Sequence, residues 1–151
     1  MNKTLYFFAC CITALTITSC NNGKSSSTLN GTWRLLSAKT ITKGDTVVDY
    51  PVKGQEMIKL FNDTHFAFLR HDLAKGKDSA TAIFTSGGGT YALTGNDYTE
   101  QLEYCSYRPW EHSTFHFTLH RNGDTLIQKG IEKIDSLNVN HEIVETYLLV
   151  K

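Results

Sequence analysis

The sequence lacks the features that mark several large classes of protein. Beyond residue 20 it has a single cysteine, Cys105, so the folded part of the chain has no pair from which to form a disulfide. Its 15 basic and 15 acidic residues are interspersed, and without a basic patch nucleic-acid binding has little support. No apolar run reaches the ~20 residues of a transmembrane helix. Stability must therefore come from an ordinary hydrophobic core, in a chain long enough for one domain.

Motifs of common catalytic and metal sites are also missing. Gly-x-Ser-x-Gly, Cys-x-x-Cys and His-Glu-x-x-His do not occur, and Gly87-Gly88-Gly89 lacks the Lys-Ser/Thr of a phosphate loop. His116 and His120 lie in an alternating strand pattern that separates them by ~13 Å, too far for one ion. A glycosidase-type carboxylate pair would need a second inward acid, for which Glu56 is the candidate. We therefore predict a non-catalytic protein without a metal site or cofactor.

The first twenty residues are typical of a secretory signal. Met1-Asn2-Lys3 gives a positive start, the run from Leu5 to Ile17 has no charge, and two small residues precede Cys20. The sequence Ile17-Thr18-Ser19-Cys20 resembles the lipobox of bacterial lipoproteins, in which the cysteine is lipidated and becomes the first mature residue. An ordinary cleavage site with an incidental cysteine is the alternative.

The lipobox resemblance implies a lipoprotein signal peptide at 1–19. A Cys20 carrying fatty acyl chains such as palmitate would then hold the protein on a membrane, with 20–28 as a flexible tether and 29–151 as the folded domain. No acidic residue directly follows Cys20. We therefore expect a cell-envelope location, on the periplasmic face of the outer membrane.

From Leu29 onward, apolar and polar residues alternate in short runs that are separated by turn residues. Nowhere do apolar residues keep a helical period for three turns. Eight to ten short strands joined by hairpin turns predict an antiparallel up-and-down meander. Closing it into a barrel of eight to ten strands would remove both exposed edges.

The stretch from Gly87 to Ser106 is predicted to form the central hairpin. A turn at Thr94 to Asp97 places Leu93 opposite Tyr98 and Tyr91 opposite Glu100. The preceding strand, 80–85, is expected to end at the three glycines. One face of the hairpin is then expected to carry Tyr91, Leu93, Tyr98, Glu100, Leu102 and Tyr104.

A second hairpin is predicted at 56–71. Pairing Leu60 with Phe66 would place Ile58, Leu60, Phe66, Phe68 and Arg70 on a common inner face. In a later strand, Phe115, Phe117 and Leu119 alternate with polar residues. Arg70 and Glu100 are then charges on apolar faces, and they either pair with each other or orient a ligand.

Several short segments carry a resemblance to a known family. They are Leu29-Asn30-Gly31-Thr32-Trp33-Arg34, Phe61-Asn62-Asp63-Thr64-His65-Phe66, Gly88-Gly89-Thr90-Tyr91, Tyr98-Thr99-Glu100 and Gly123-Asp124-Thr125-Leu126. In this order the chain resembles the lipocalin-like, or calycin, group, and in particular the small lipocalin-like lipoproteins of Bacteroidetes. The resemblance implies a cup that binds one small, mostly apolar molecule. It also implies an Arg near the end of the last strand that packs across the early Trp, but residues 147–151 contain no Arg.

Two functions follow as hypotheses. If the barrel binds a small hydrophobic or amphipathic ligand, the residues predicted to line it are Phe68, Arg70, Tyr91, Tyr98, Glu100, Tyr104 and Phe117. The alternative is a barrel filled by its own side chains, whose loop from Tyr107 to His112, with Trp110, docks an envelope protein. An interior cavity below ~300 Å³ would favour this interaction module.

Overall fold

A computed structural model describes residues 29–151. The predicted signal peptide, the predicted lipidation site Cys20 and the predicted tether lie outside the described residues. Within 29–151, no helix is long and apolar enough to cross a bilayer.

The described residues form nine strands and two single-turn 3₁₀ helices. The strands are β1 (Gly31–Thr42), β2 (Asp45–Tyr50), β3 (Gln55–Phe61), β4 (His65–Asp72), β5 (Phe84–Thr94), β6 (Asp97–Cys105), β7 (Ser113–Asn122), β8 (Thr125–Ile134) and β9 (Val139–Leu149). The 3₁₀ helices are Arg108–Trp110, between β6 and β7, and Asp135–Leu137, between β8 and β9.

Neighbouring strands pair antiparallel, and β1 also pairs with β9, which closes the sheet. The first part of β1 pairs with β3 at 31–34, and its later part pairs with β2 at 38–42. The result is an eight-stranded closed barrel with β2 as an additional strand beside β1. The prediction of an all-β, up-and-down barrel of eight to ten strands is confirmed.

The central hairpin has the predicted register over most of its length. Tyr91 lies opposite Glu100, and Leu93 lies opposite Tyr98. The turn contains Gly95 at a φ of 63°, a conformation that glycine adopts without steric cost. The pattern of the two strands was therefore sufficient to fix their pairing near the turn.

Farther from the turn, a β-bulge changes which side chains face inward. Gly89 pairs with Leu102 but Gly88 pairs with Tyr104, so Glu103 is the extra residue of β6. The bulge shifts the alternation by one residue. Tyr104 is consequently 68% exposed on the outside, while Cys105 is buried. The prediction that Tyr104 shares the inner face is wrong.

The sequence predicts that a strand ends at the three glycines, and this prediction is wrong. Strand β5 runs through them from Phe84 to Thr94. A Cβ at Gly89 would lie 1.9 Å from the carbonyl oxygen of Gln101, and one at Gly88 would lie 2.6 Å from that of Phe66. Real Cβ atoms do not approach backbone so closely, so glycine at these positions permits the tight packing of β5 between its neighbours.

The register of the second hairpin differs from the prediction by one residue. Leu60 pairs with Ala67, and Lys59 pairs with Phe68. The reason is a longer turn, in which the side-chain Oδ1 of Asn62 accepts hydrogen bonds from the backbone N–H groups of Thr64 and His65. A shift of one residue reverses the faces of a strand. The inner residues of β3 are Met57, Lys59 and Phe61 instead of Ile58 and Leu60.

One half of the barrel interior is filled by its own side chains. Trp33 has no exposed surface, and its Nε1 donates to the carbonyl oxygen of Leu29 at 2.8 Å. The guanidinium of Arg121, on β7, lies 5.1 Å from the centre of the Trp33 ring. A residue outside the last strand therefore packs across this Trp. The packing continues through four aromatic rings whose neighbouring centres lie 5.5 to 6.4 Å apart, and these belong to Phe61, Tyr91, Tyr98 and Phe117.

Candidate functional site

The opposite half of the barrel contains a cavity of about 250 Å³. It is lined by inward side chains of the strands from β3 to β9 and by Trp110 of the Arg108–Trp110 helix. Its apolar wall consists of Met57, Phe68, Leu102, Trp110, Phe115 and Ile143. Its ionisable and amide groups are Lys59, Arg70, Glu100, Gln128, Glu132 and Glu145.

The floor of this cavity is a closed polar network. Lys59 is only 3% exposed, forms a salt bridge with Glu100 and donates to Oε1 of Gln128 at 2.9 Å. The hydroxyl of Tyr98 donates to Oε1 of Glu100 at 2.7 Å. Burial, together with the charge of Glu100, raises the pKa of Tyr98 well above its usual value, so this hydroxyl stays protonated. Buried charges with this many partners stabilise one arrangement of the interior.

Arg70 points into the same cavity but does not pair with Glu100, contrary to one of the two predicted roles. Its Nε donates to Oε1 of Gln55 at 2.9 Å. Among residues 29–151 no carboxylate forms an ion pair with Arg70. The guanidinium therefore keeps hydrogen-bonding capacity toward the cavity, because five N–H groups are available and one is used.

Two further carboxylates line the cavity from β8 and β9. Oε2 of Glu145 accepts a hydrogen bond from the hydroxyl of Tyr147 at 2.6 Å. Oε2 of Glu132 lies 2.9 Å from Nε2 of His141. Neither carboxylate forms an ion pair with Lys or Arg within the described part of the chain.

Burial changes the acidity of both carboxyl groups. It raises the pKa of Glu132 to about 7, against the opposing effect of the hydrogen bond with His141. It also raises the pKa of Glu145, although the nearby charge of Lys59 and the Tyr147 hydroxyl act in the opposite direction. Carboxyl groups with raised pKa values in a cavity are a common property of functional sites.

A second cavity of about 180 Å³ adjoins the first. It extends beneath the β1–β2 hairpin to Asp49 and Tyr50. Both cavities are lined by Arg70, Glu132 and Glu145 as well as by Met57 and Ile143. The charged side chains therefore lie at the junction of two spaces, where a molecule in either space would contact them.

The structure brings three of the seven predicted site residues to the cavity. These are Phe68, Arg70 and Glu100. Tyr98 lies beneath the floor as a partner of Glu100.

The other three lie elsewhere. Phe117 stacks on Tyr98 in the closed half, with ring centres 6.4 Å apart, and the hydroxyl of Tyr91 donates to the carbonyl oxygen of Asn62 at 2.7 Å. Tyr104 is outside the barrel.

Several cavity residues were missed by the sequence reasoning. Lys59 was missed because of the one-residue error in the β3–β4 register. Besides Glu100, the inward acids are Glu132 and Glu145. Glu56 is not one of them, because it alternates to the opposite face from Met57. The sequence contains a signal for Glu145, since in the last strand it shares a face with the apolar residues Ile143 and Tyr147.

The loop between β6 and β7 is built differently from the docking loop that the alternative hypothesis assumes. Trp110 turns inward, contacts the ring of Phe115 at 5.9 Å and lines the cavity. Glu111 accepts a hydrogen bond from the backbone N–H of Cys105 and pairs with Arg108, which anchors the loop to the barrel. Tyr107 is the exposed aromatic residue of this loop.

An open groove of about 480 Å³ lies outside the barrel, over the glycines of β5. Its lining includes Ala67, Gly88 and Tyr104, together with His65 and the Arg108–Glu111 ion pair. It is larger than the interior cavity, but it is an open surface groove that would leave much of a ligand exposed to water. The interior cavity is therefore the better candidate for a specific ligand site.

Comparisons with known proteins gave no family: no protein-family model, no curated protein and no solved structure matches this chain. Among residues 29–151, no group of three or more His, Cys, Asp or Glu side chains is arranged to hold a metal ion. The function must therefore be argued from the barrel and its cavity.

Proposed function

We propose that this protein is a lipid-anchored, lipocalin-like binding protein of the bacterial cell envelope, and that it holds a small hydrophobic or amphipathic molecule in the open half of its barrel. The observation that carries the proposal is the 250 Å³ cavity, which combines an apolar wall with a few fixed polar groups. Ligand sites in proteins generally have this composition.

The division of the barrel into two halves supports the proposal. Aromatic rings fill the half around Trp33, so the fold is stabilised there without a ligand. In the open half, Phe68 and Trp110 are only partly buried and face the cavity. A small molecule that covered these rings would remove apolar surface from water.

The size of the cavity limits what it can hold. At about 250 Å³ it is below the ~300 Å³ at which pockets for drug-sized molecules begin. The adjoining 180 Å³ space adds room beside the charged groups. The ligand is therefore a small molecule with one apolar group, and not a long-chain lipid.

The lipocalin-like assignment and the anchor rest on different parts of the chain. The closed up-and-down barrel supports the lipocalin-like part of the proposal. The arginine packed on Trp33 comes from β7 and not from the last strand. The anchor and the envelope location rest on the sequence of residues 1–20. Mass spectrometry of the purified native protein should find an acylated Cys20 as the first residue, and an unmodified terminus elsewhere would contradict the anchor.

Ligand binding can be tested through tryptophan fluorescence, because the chain has two tryptophans in different halves. Trp110 lines the cavity, whereas Trp33 is buried in the closed half. Small aromatic and amphipathic metabolites should change the emission of the wild-type protein in a saturable way. The same titration of Trp110→Phe should show no change. A saturable response that persists in Trp110→Phe would place the binding elsewhere.

The interaction module is a second candidate, because the interior cavity is smaller than the 300 Å³ limit and two aromatic residues are exposed nearby. Tyr104 and Tyr107 lie on the outside of the barrel, next to the β6–β7 loop. If this surface docks an envelope protein, Tyr104→Ser with Tyr107→Ser should abolish a crosslink that the wild-type protein forms in intact cells. A crosslink that both proteins form equally would count against this candidate.

A further inference from the structure

The open cavity contains charges of both signs that do not pair with each other. Arg70 enters from β4 and Glu145 enters from β9, and the same two cavities contact both side chains. Each has one neutral hydrogen-bond partner, Gln55 for Arg70 and Tyr147 for Glu145. No ion pair joins these two residues within the described chain.

The cavity floor shows how this protein arranges a structural pair. Lys59 and Glu100 contact each other directly, and Gln128 and Tyr98 provide further hydrogen bonds. Charges taken from water are costly unless an opposite charge compensates them. Neither Arg70 nor Glu145 forms a direct ion pair within the described residues, so their arrangement is not that of a structural salt bridge.

We propose that the cavity binds a small zwitterion, with its carboxylate on Arg70, its ammonium group on Glu145 and its apolar part against Phe68 and Trp110. This inference rests on the proposed function and names the class of ligand. It excludes simple fatty acids, simple amines and uncharged hydrophobic molecules as the preferred ligand.

The balance of charge favours a zwitterion over a molecule with one charge. Lys59 compensates Glu100 on the floor, and Glu132 has His141 beside it. Arg70 and Glu145 remain as one basic and one acidic group, each with a neutral hydrogen-bond partner only. A ligand with a single charge would compensate one of them and leave the other without a partner in the cavity.

The geometry of Arg70 also suits a carboxylate. Gln55 binds the Nε of the guanidinium, and this contact fixes the plane of the group. The two terminal nitrogens remain for a bidentate contact with two carboxylate oxygens, which is the strongest arrangement for this pair. On the other side, the Tyr147 hydroxyl holds one oxygen of Glu145, which leaves the carboxylate able to accept further hydrogen bonds from an ammonium group.

The test uses four probes that share a phenyl ring on a short chain and differ in the polar groups on that chain, and therefore in charge. They are phenylalanine with both charges, phenethylamine with the ammonium group, 3-phenylpropionate with the carboxylate, and uncharged 2-phenylethanol. Each is titrated into the purified, full-length protein, and the emission of Trp110 is measured against the Trp110→Phe control. We expect phenylalanine to bind at least about tenfold more tightly than each of the other three probes.

Two variants assign the charges to their residues. Glu145→Gln should weaken the binding of phenylalanine and phenethylamine by about tenfold or more and leave 3-phenylpropionate unchanged. Arg70→Met should weaken phenylalanine and 3-phenylpropionate instead. Glu142→Gln is the matched control on β9, because Glu142 pairs with the exposed Lys129 and does not line either cavity. It should leave all four affinities unchanged.

The probe series on the wild-type protein decides the question even where a variant fails to fold. If phenethylamine or 3-phenylpropionate binds as tightly as phenylalanine, the zwitterion proposal is wrong. Equal binding of 2-phenylethanol would also overturn it, but would leave the proposed small-molecule function standing. If none of the four probes binds, the inference fails, and extraction of the native protein for a co-purified small molecule tests the broader function separately.

Discussion

Lys59 of β3 and Glu100 of β6 are 41 residues apart in the chain and form a salt bridge inside the barrel, at the boundary between its packed half and its open half. The ammonium group of Lys59 also lies 5.0 Å from the centre of the Phe66 ring. Aromatic rings and a carboxylate therefore surround one buried cation. This pair separates the packed half of the barrel from the open half and forms the floor of the cavity.

Removing the cation should destabilise the fold strongly. Lys59→Met leaves Glu100 buried with the Tyr98 hydroxyl but without an opposite charge. We expect a loss of about 3–5 kcal/mol in the free energy of unfolding, the range for breaking a buried ion pair from one side. Urea denaturation would measure it, and the double variant Lys59→Met with Glu100→Gln should recover part of the loss.

The control for this experiment is Lys129→Met. Lys129 pairs with Glu142 on the surface, where an ion pair contributes ~0–1 kcal/mol. If Lys59→Met were no more destabilising than Lys129→Met, the buried pair would have no structural role.

The bulge in β6 makes glycine necessary at position 89. A Cβ there would overlap the carbonyl oxygen of Gln101 at 1.9 Å, so the two strands must separate in Gly89→Ala. We expect a loss of about 3 kcal/mol or more, at the upper end of the effects of single substitutions. The comparison is Gly95→Ala, where no atom lies within 4 Å and only the positive φ of 63° opposes a side chain. That change should cost about 1 kcal/mol. Equal melting temperatures for the two variants would contradict the close approach.

The pH dependence of stability should contain a contribution from Glu132. Its pKa is about 7 in the folded protein and near its ordinary value of 4.5 in the unfolded chain. The folded state therefore binds more protons between these values, and the stability from this group is complete below pH 4.5 and is lost as the pH rises through 7. The ionisable groups facing it are His141, Glu145 and Glu100.

Glu132→Gln isolates this contribution. The difference in unfolding free energy between wild type and variant should fall from pH 4.5 to pH 7.5, as measured by urea denaturation at each pH. A difference that stays constant over this range would show that Glu132 titrates alike in the folded and unfolded states.

Substitution of two tyrosines of the same strand should affect stability to very different extents. Tyr98→Phe removes the hydroxyl that donates to Glu100, at an expected cost of about 1–2 kcal/mol. Tyr104→Ser changes an exposed side chain outside the barrel and should alter stability by no more than about 0.5 kcal/mol. Thermal melting of both variants checks this, and a larger loss for Tyr104→Ser would mean that this ring packs inward.

These two tyrosines also show what the sequence could and could not predict. Alternation and turn residues correctly placed Leu93 opposite Tyr98 and Tyr91 opposite Glu100, because both signals are local. They failed at Tyr104, because a bulge depends on the close approach of Gly89 to the neighbouring strand. Three consecutive glycines are the sign of that approach in the sequence, but the same pattern also predicts a strand end.

The site was less predictable than the fold for a related reason. The predicted pairing of Leu60 with Phe66 assumes a turn that is one residue too short. In the structure the Asn62 side chain accepts a backbone hydrogen bond from His65 within a longer turn. The error in register places Lys59 on the outer face, whereas it lies inside. With Lys59 outside, the predicted register leaves Arg70 as the candidate partner of Glu100. Trp110 was expected on a docking loop, since nothing local in the sequence shows that its ring turns toward Phe115.

Whether the open half of the barrel holds a small molecule is tested most directly by native mass spectrometry. The protein is purified for this measurement from an exporting host. We expect a non-covalent adduct of low mass on the wild-type protein and on Tyr104→Ser. The adduct should be absent from Thr85→Trp, because Thr85 lines the cavity and a tryptophan there would fill it. An adduct that persists in Thr85→Trp, or its absence from the wild type together with no response of Trp110 to any metabolite, would contradict the account.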